Sequence, residues 1–201
     1  MENNNNNQNG LSVEKSLEII SQAIRDSRND FQRRGGTAML IWGLVLLVVS
    51  GLVMLGLALT DNRMWHIAWF LIPVLGWPLD RLASRNYERR GHGENLITKT
   101  VGQIWCTFGI FAVSTGILAF FIPLQTTAII VLLLGMAGAI TGWLSQSWTI
   151  FLLGIISGLG GLLCSYWLND PTYIPLIMAM ASLLDLVIPG LIFNHRTRNQ
   201  Q

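Results

Sequence analysis

The stretch TAMLIWGLVLLVVSGLVMLGLALT, residues 37–60, carries no charged side chain from end to end. At about 1.5 Å of rise per residue, a helix of that length exceeds the roughly 30 Å of hydrocarbon in a bilayer. It is apolar on every face, whereas a helix on the surface of a soluble domain shows a polar side. The run therefore reads as a membrane span, and the rest of the chain is read outward from it.

Five further apolar runs follow, at residues 64–82, 101–122, 127–144, 148–167 and 173–193. Pro73 and Pro78 interrupt the first of them; neighbouring helices can re-satisfy carbonyls freed by proline inside a membrane. The composition agrees: 51% of the 201 residues are hydrophobic and 12% are charged, against roughly a quarter charged in soluble domains. This excludes a cytosolic globular enzyme, a nucleic-acid-binding domain and a disulfide-stapled secreted module. The expected fold is all-α: a polytopic bundle of six transmembrane helices over residues 36–194, with the lipid bilayer as its first partner.

Upstream, residues 1–10 include five successive asparagines and offer nothing to bury, so a disordered leader is expected there. It lacks the basic start, apolar core and small-residue cleavage site of a signal peptide. Residues 11–35 differ. Val13, Leu17, Ile20, Ile24 and Phe31 recur at helical spacing with Ser27 in the gap, and most charges take the other faces. This predicts an amphipathic juxtamembrane helix, capped by Ser12 and ended by Gly35-Gly36. Such a helix can lie on the membrane or its own bundle, or use residues 11–34 to engage a cytoplasmic protein partner or a second copy.

The basic residues give an orientation. Lys15, Arg25, Arg28, Arg33 and Arg34 precede the first run; Arg81, Arg85, Arg89, Arg90 and Lys99 lie between the second and third; Arg196 and Arg198 are in the tail, residues 195–201. Only Arg63 falls on the other side of a six-span arrangement. The positive-inside rule then puts both termini in the cytoplasm. Most of the tryptophans fall near the two expected interfaces, Trp42, Trp77, Trp105, Trp143 and Trp148 at one, Trp65 and Trp167 at the other, as an aromatic belt requires. The cluster Arg81, Arg85, Arg89 and Arg90 suits anionic headgroups.

Helices in lipid associate through small residues. Gly138 and Gly142 in the fourth run, and Gly154 and Gly158 in the fifth, sit on either side of the short Ser145-Gln146-Ser147 turn. They predict a tight antiparallel hairpin, or alternatively a homodimer seam.

Asp185 is the one acid deep within a run, about 18 Å of helix from one end and 12 Å from the other. An intramembrane carboxylate is costly and marks a functional site or a packing lock. Pro189, four residues on, has no N–H for the Asp185 carbonyl, and Ser182, one turn earlier, can hydrogen-bond the carboxyl. Asp80 lies beside Arg81 at the inner end of its run, as an interfacial cap or a local ion pair would.

Catalytic and metal constellations are missing from the pattern. His66, His92 and His195 lie at edges, loop and tail, so no base reaches Ser157 at membrane depth. His92 and Glu94 alone do not make a metal site. No H-E-x-x-H, P-loop or dinucleotide fingerprint occurs, so neither catalytic residues nor a cofactor are expected. Cys106 and Cys164 lie in different runs and read as small packing residues.

Several segments together resemble a family. Ser16-Leu17-Glu18-Ile19-Ile20 with Phe31, Leu40-Ile41-Trp42-Gly43, Ile72-Pro73-Val74-Leu75-Gly76-Trp77-Pro78 and Ile188-Pro189-Gly190 are similar to those of an uncharacterised family of small six-span bacterial inner-membrane proteins often found beside a winged-helix transcriptional regulator. The resemblance implies a multi-pass protein of the bacterial inner membrane in a regulatory setting. Two functions are open: a non-enzymatic regulatory, sensory or scaffolding role through the cytoplasmic face, or a small transporter that uses Asp185 for proton or cation coupling.

Overall fold

The computed structural model describes residues 3–60, 62–88, 96–168 and 170–198. The described residues are helical, without a strand: α1 (Asn3–Thr60), a 3₁₀ helix over Arg63–Phe70 that runs into α2 (Leu71–Glu88), α3 (Leu96–Leu118), α4 (Thr126–Leu144), α5 (Trp148–Trp167), α6 (Ile174–Ser182) and α7 (Ile188–Arg198). A five-residue π-helical turn, Leu183–Val187, joins α6 to α7. Among the described residues, five helices are long and apolar enough to cross a membrane: Arg34–Thr60 within α1, Ile97–Leu118, Thr126–Leu144, Trp148–Trp167, and Ile174–Thr197 through α6 and α7.

The expected break at Gly35-Gly36 does not occur; α1 is one helix of 58 residues, about 87 Å long. The expected leader 1–10 is drawn, from Asn3, into the same helix. The glycines serve close packing instead of termination. A methyl at Gly36 would lie 2.9 Å from Phe193 Cβ and 3.2 Å from the Gly190 carbonyl, and one at Gly43 would lie 2.8 Å from Val187. They let the last span approach α1 at backbone distance, and Phe31 closes the contact edge-to-face on Phe193.

The third run also shifts. It ends at Leu118, and residues 119–122 form a turn ahead of Pro123.

The segment 64–82 is not among the five candidate spans. Only Leu71–Glu88 is α-helical, and Asp80, Arg81, Arg85 and Glu88 lie in its second half. It nevertheless retraces α1. A methyl at Gly56 would meet the Trp65 ring, one at Gly76 the Trp42 ring, and Trp65 donates to Thr60 Oγ1 at 2.8 Å. At the far end Asp80 accepts from Trp42 and lies within electrostatic reach of Arg34.

The α4–α5 hairpin is the most extensive contact in the bundle. Methyls at Gly135, Gly142 and Gly154 would run into the backbone of the facing helix: Gly158, Phe151 and Ala139 respectively. Gly158 faces Gly135 in return. The seam is intramolecular, and Gly135 belongs to it.

Candidate functional site

Asp185 sits in the π turn, and Pro189 accounts for that turn. In an α-helix its ring would strike the carbonyl of residue 185. Widening the preceding turn relieves the clash, and Ile188 N–H bonds Leu183 O, five residues back. Proline then denies a donor to the carbonyl of Asp185 at i+4 and of Leu184 at i+5. The turn also holds the buried stripe. Buried pairs recur every four residues at 177/178, 181/182, 185/186 and 189/190. At about 3.6 residues per turn a straight helix would rotate them off the face; π turns commonly mark functional positions.

The carboxyl is 1% exposed. Ser157 Oγ, from α5, donates to Oδ2 at 2.6 Å. Oδ1 has no hydrogen-bond partner and faces α4, where a methyl at Gly138 would lie 3.0 Å away. Gly138 thus makes room for the acid, whereas Gly142, Gly154 and Gly158 pack the hairpin.

Ser182 does not reach the carboxyl. It is fully buried and donates to the Gly43 carbonyl of α1 at 2.9 Å. Ser182 therefore ties the turn to α1, while Asp185 ties it to α5. Pro189 is fully buried beside them. Composition pointed to Asp185 and the helix period to Ser182, but the partners Ser157, Gly138 and Gly43 come from three other helices. Their one sequence signal is a small residue within each span.

A groove of about 440 Å³ on the outer face of the α4–α5 hairpin is lined by apolar side chains such as Met136, Trp143, Phe151 and Leu159, and Asp185 is not among its walls. Among the described residues no group of three or more His, Cys, Asp or Glu could hold a metal.

Of the basic cluster, Arg81 stacks over the Trp77 ring at 5.2 Å and Arg85 is exposed. Arg89 and Arg90, with His92 and Glu94, lie outside the described residues. Trp105, expected near the same interface, is partly buried and donates to Thr141 Oγ1 of α4 at 3.1 Å. Cys106 and Cys164 are exposed free thiols on different helices.

No family model, curated protein or solved structure matches the chain.

Proposed function

We propose that the chain is a six-span integral membrane protein, without enzymatic activity, that acts in a regulatory, sensory or scaffolding role through the face bearing the N-terminal part of α1. The observation that carries this is the continuity of α1. Residues 15–25 extend beyond the bundle with Leu17, Ile20 and Ile24 at 61%, 56% and 49% exposure, while the same helix is locked to the last span at Phe31, Gly36 and Gly43. An apolar stripe held away from the bundle on a rigid stalk suits a docking helix, and anything that binds it is mechanically joined to the membrane part. The expected setting, a bacterial inner membrane with a regulatory partner, rests on the family resemblance alone.

The sixth span is supported by length. From Trp42 to Gly56 α1 rises about 21 Å, and the facing segment must cover that height between Gly76 and Trp65. As pure α-helix it would rise ~16 Å, but its 3₁₀ portion, at about 2 Å per residue, brings it to ~20 Å. The stretch compensates for the shortness of the run.

Deleting residues 11–34 and cross-linking in intact membranes tests the role: proteins recovered with the full chain should disappear, and an unchanged set would sink the reading. A second reading, proton- or cation-coupled transport through Asp185, is favoured by the unpartnered Oδ1 and the π turn. The burial of Asp185, 1% exposed, weighs against it.

A further inference from the structure

The two faces of α2 differ in kind. One packs on α1: Gly76 admits the Trp42 ring, and one turn on Asp80 accepts from Trp42 and feels Arg34. The other face is free of the bundle, and along it Val74, Trp77, Arg81 and Arg85 follow one another at spacings of three and four, which keeps them in one column. All four are exposed, Val74 at 63% and Trp77 at 62%.

The packed face sets the level of the free one. Gly76 stands beside Trp42, inside the apolar span of α1, and Asp80 is within reach of Arg34, the first residue of that span. Val74 therefore lies at the depth of the hydrocarbon, and Arg81 and Arg85 lie where the apolar span ends. From Val74 to Arg85 the helix rises about 16 Å.

Arg81 is held ready for an anion. Its sequence neighbour Asp80 is engaged on the α1 side, and among the described side chains Arg81 has no acidic partner. Its guanidinium lies over the Trp77 ring at 5.2 Å. Stacking fixes the plane of the group and leaves its N–H edge open to the paired oxygens of a phosphate. The other tryptophans at this interface are used differently: Trp143 and Trp148 both pack on the Phe151 ring.

We propose that this column of α2 is a binding site for one anionic phospholipid, with the phosphate on Arg81 and Arg85 and an acyl chain laid along Trp77 and Val74. The proposal rests on the membrane reading above and is independent of the docking helix. Charge selects the headgroup, and the continuation of the column below Trp77 selects a lipid: an acidic soluble protein can meet the arginines, but it cannot follow the face down to Val74.

The test uses the full chain in an uncharged detergent, titrated with phosphatidylglycerol or with phosphatidylcholine of the same chains, and reads the first bound lipid by native mass spectrometry. Phosphatidylglycerol should bind more tightly, and Arg81→Gln and Arg85→Gln should each weaken it about 5-fold. Arg81→Lys, which keeps the charge but not the planar stack, should recover only part of that loss. Lys99→Gln, which removes an exposed charge from the first turn of α3, should leave the affinity unchanged. Equal binding of the two lipids, or equal weakening by all three glutamine variants, overturns the site, the second outcome meaning diffuse attraction. Displacement of the lipid by free glycerol phosphate overturns the acyl contact. Arginine variants that lose a cross-linked protein in native membranes while binding the lipid as before would assign the column to an acidic protein instead. Release of the wild-type chain from membranes by alkaline carbonate would overturn the membrane reading, and this one with it.

Discussion

The Asp185 carboxyl has two oxygens in unequal surroundings, and its behaviour depends on what each meets. Oδ2 has the Ser157 hydroxyl at 2.6 Å; Oδ1 has no hydrogen-bond partner and faces Gly138. Ser157→Ala removes the one donor seen among the described residues and leaves the whole carboxyl unsatisfied in a buried junction, a loss of about 1–3 kcal/mol. Gly138→Ala sets a methyl 3.0 Å from Oδ1, and the acid, held by Ser157 and the π turn, has little freedom to retreat. Both variants should lower the midpoint of unfolding of the purified protein. In a double-mutant cycle Ser157→Ala and Asp185→Asn should couple by about 0.5–3 kcal/mol; additive losses would mean that the contact contributes nothing. Function is read on the same Asp185→Asn variant in liposomes. A proton or cation flux that survives the change rules out coupling through Asp185, whereas a flux lost from a variant still folded supports the transport reading.

At the scale of elements, glycine has two opposite meanings, and local sequence does not distinguish them. Gly35-Gly36 has the pattern of a helix stop, yet α1 passes through because the last span needs backbone-distance approach there. Gly142, Gly154 and Gly158 were readable as a seam because a three-residue turn forces their helices to be neighbours. No such constraint tied α1 to α7, which are separated by most of the chain. The same contrast yields a test within α5. A methyl at Gly154 would meet the backbone of Ala139, and a methyl at Gly160 would meet nothing within 4 Å. Gly154→Ala should force α4 and α5 apart and cost about 1–3 kcal/mol. Gly160→Ala should be neutral or gain up to roughly 1 kcal/mol from helix propensity. The denaturation midpoint should fall for Gly154→Ala and hold or rise for Gly160→Ala; equal shifts would mean that the hairpin tolerates separation. The π turn was half readable: Pro189 announces a defect near residue 185, but whether the helix kinks or widens depends on the packing of its other face.

For the whole molecule, the long uncharged runs made the membrane class and the all-helical fold readable, since both follow from composition and length. The number of crossings did not follow, because it depends on whether residues 64–82 reach the height of α1, and that depends on a 3₁₀ stretch no periodicity announces. The consequence is a parity. With five crossings the two ends of the chain lie on opposite sides; with six they share one. Twelve of the thirteen basic residues then share that side with the termini and Arg63 stands alone, as the positive-inside rule prefers. The pairing of Trp65 with Thr60 at one end, and of Asp80 with Trp42 at the other, also fits a segment that crosses the same thickness as α1. In a chain with Cys106 and Cys164 replaced by serine, single cysteines at Ser16, Asn62, Thr172 and His195 should divide cleanly. An impermeant maleimide applied to intact cells should label Asn62→Cys and Thr172→Cys, and should reach Ser16→Cys and His195→Cys only after permeabilisation. Labelling of His195→Cys from outside, with Ser16→Cys still protected, would reduce the count to five and leave 64–82 as a segment packed on α1 without crossing.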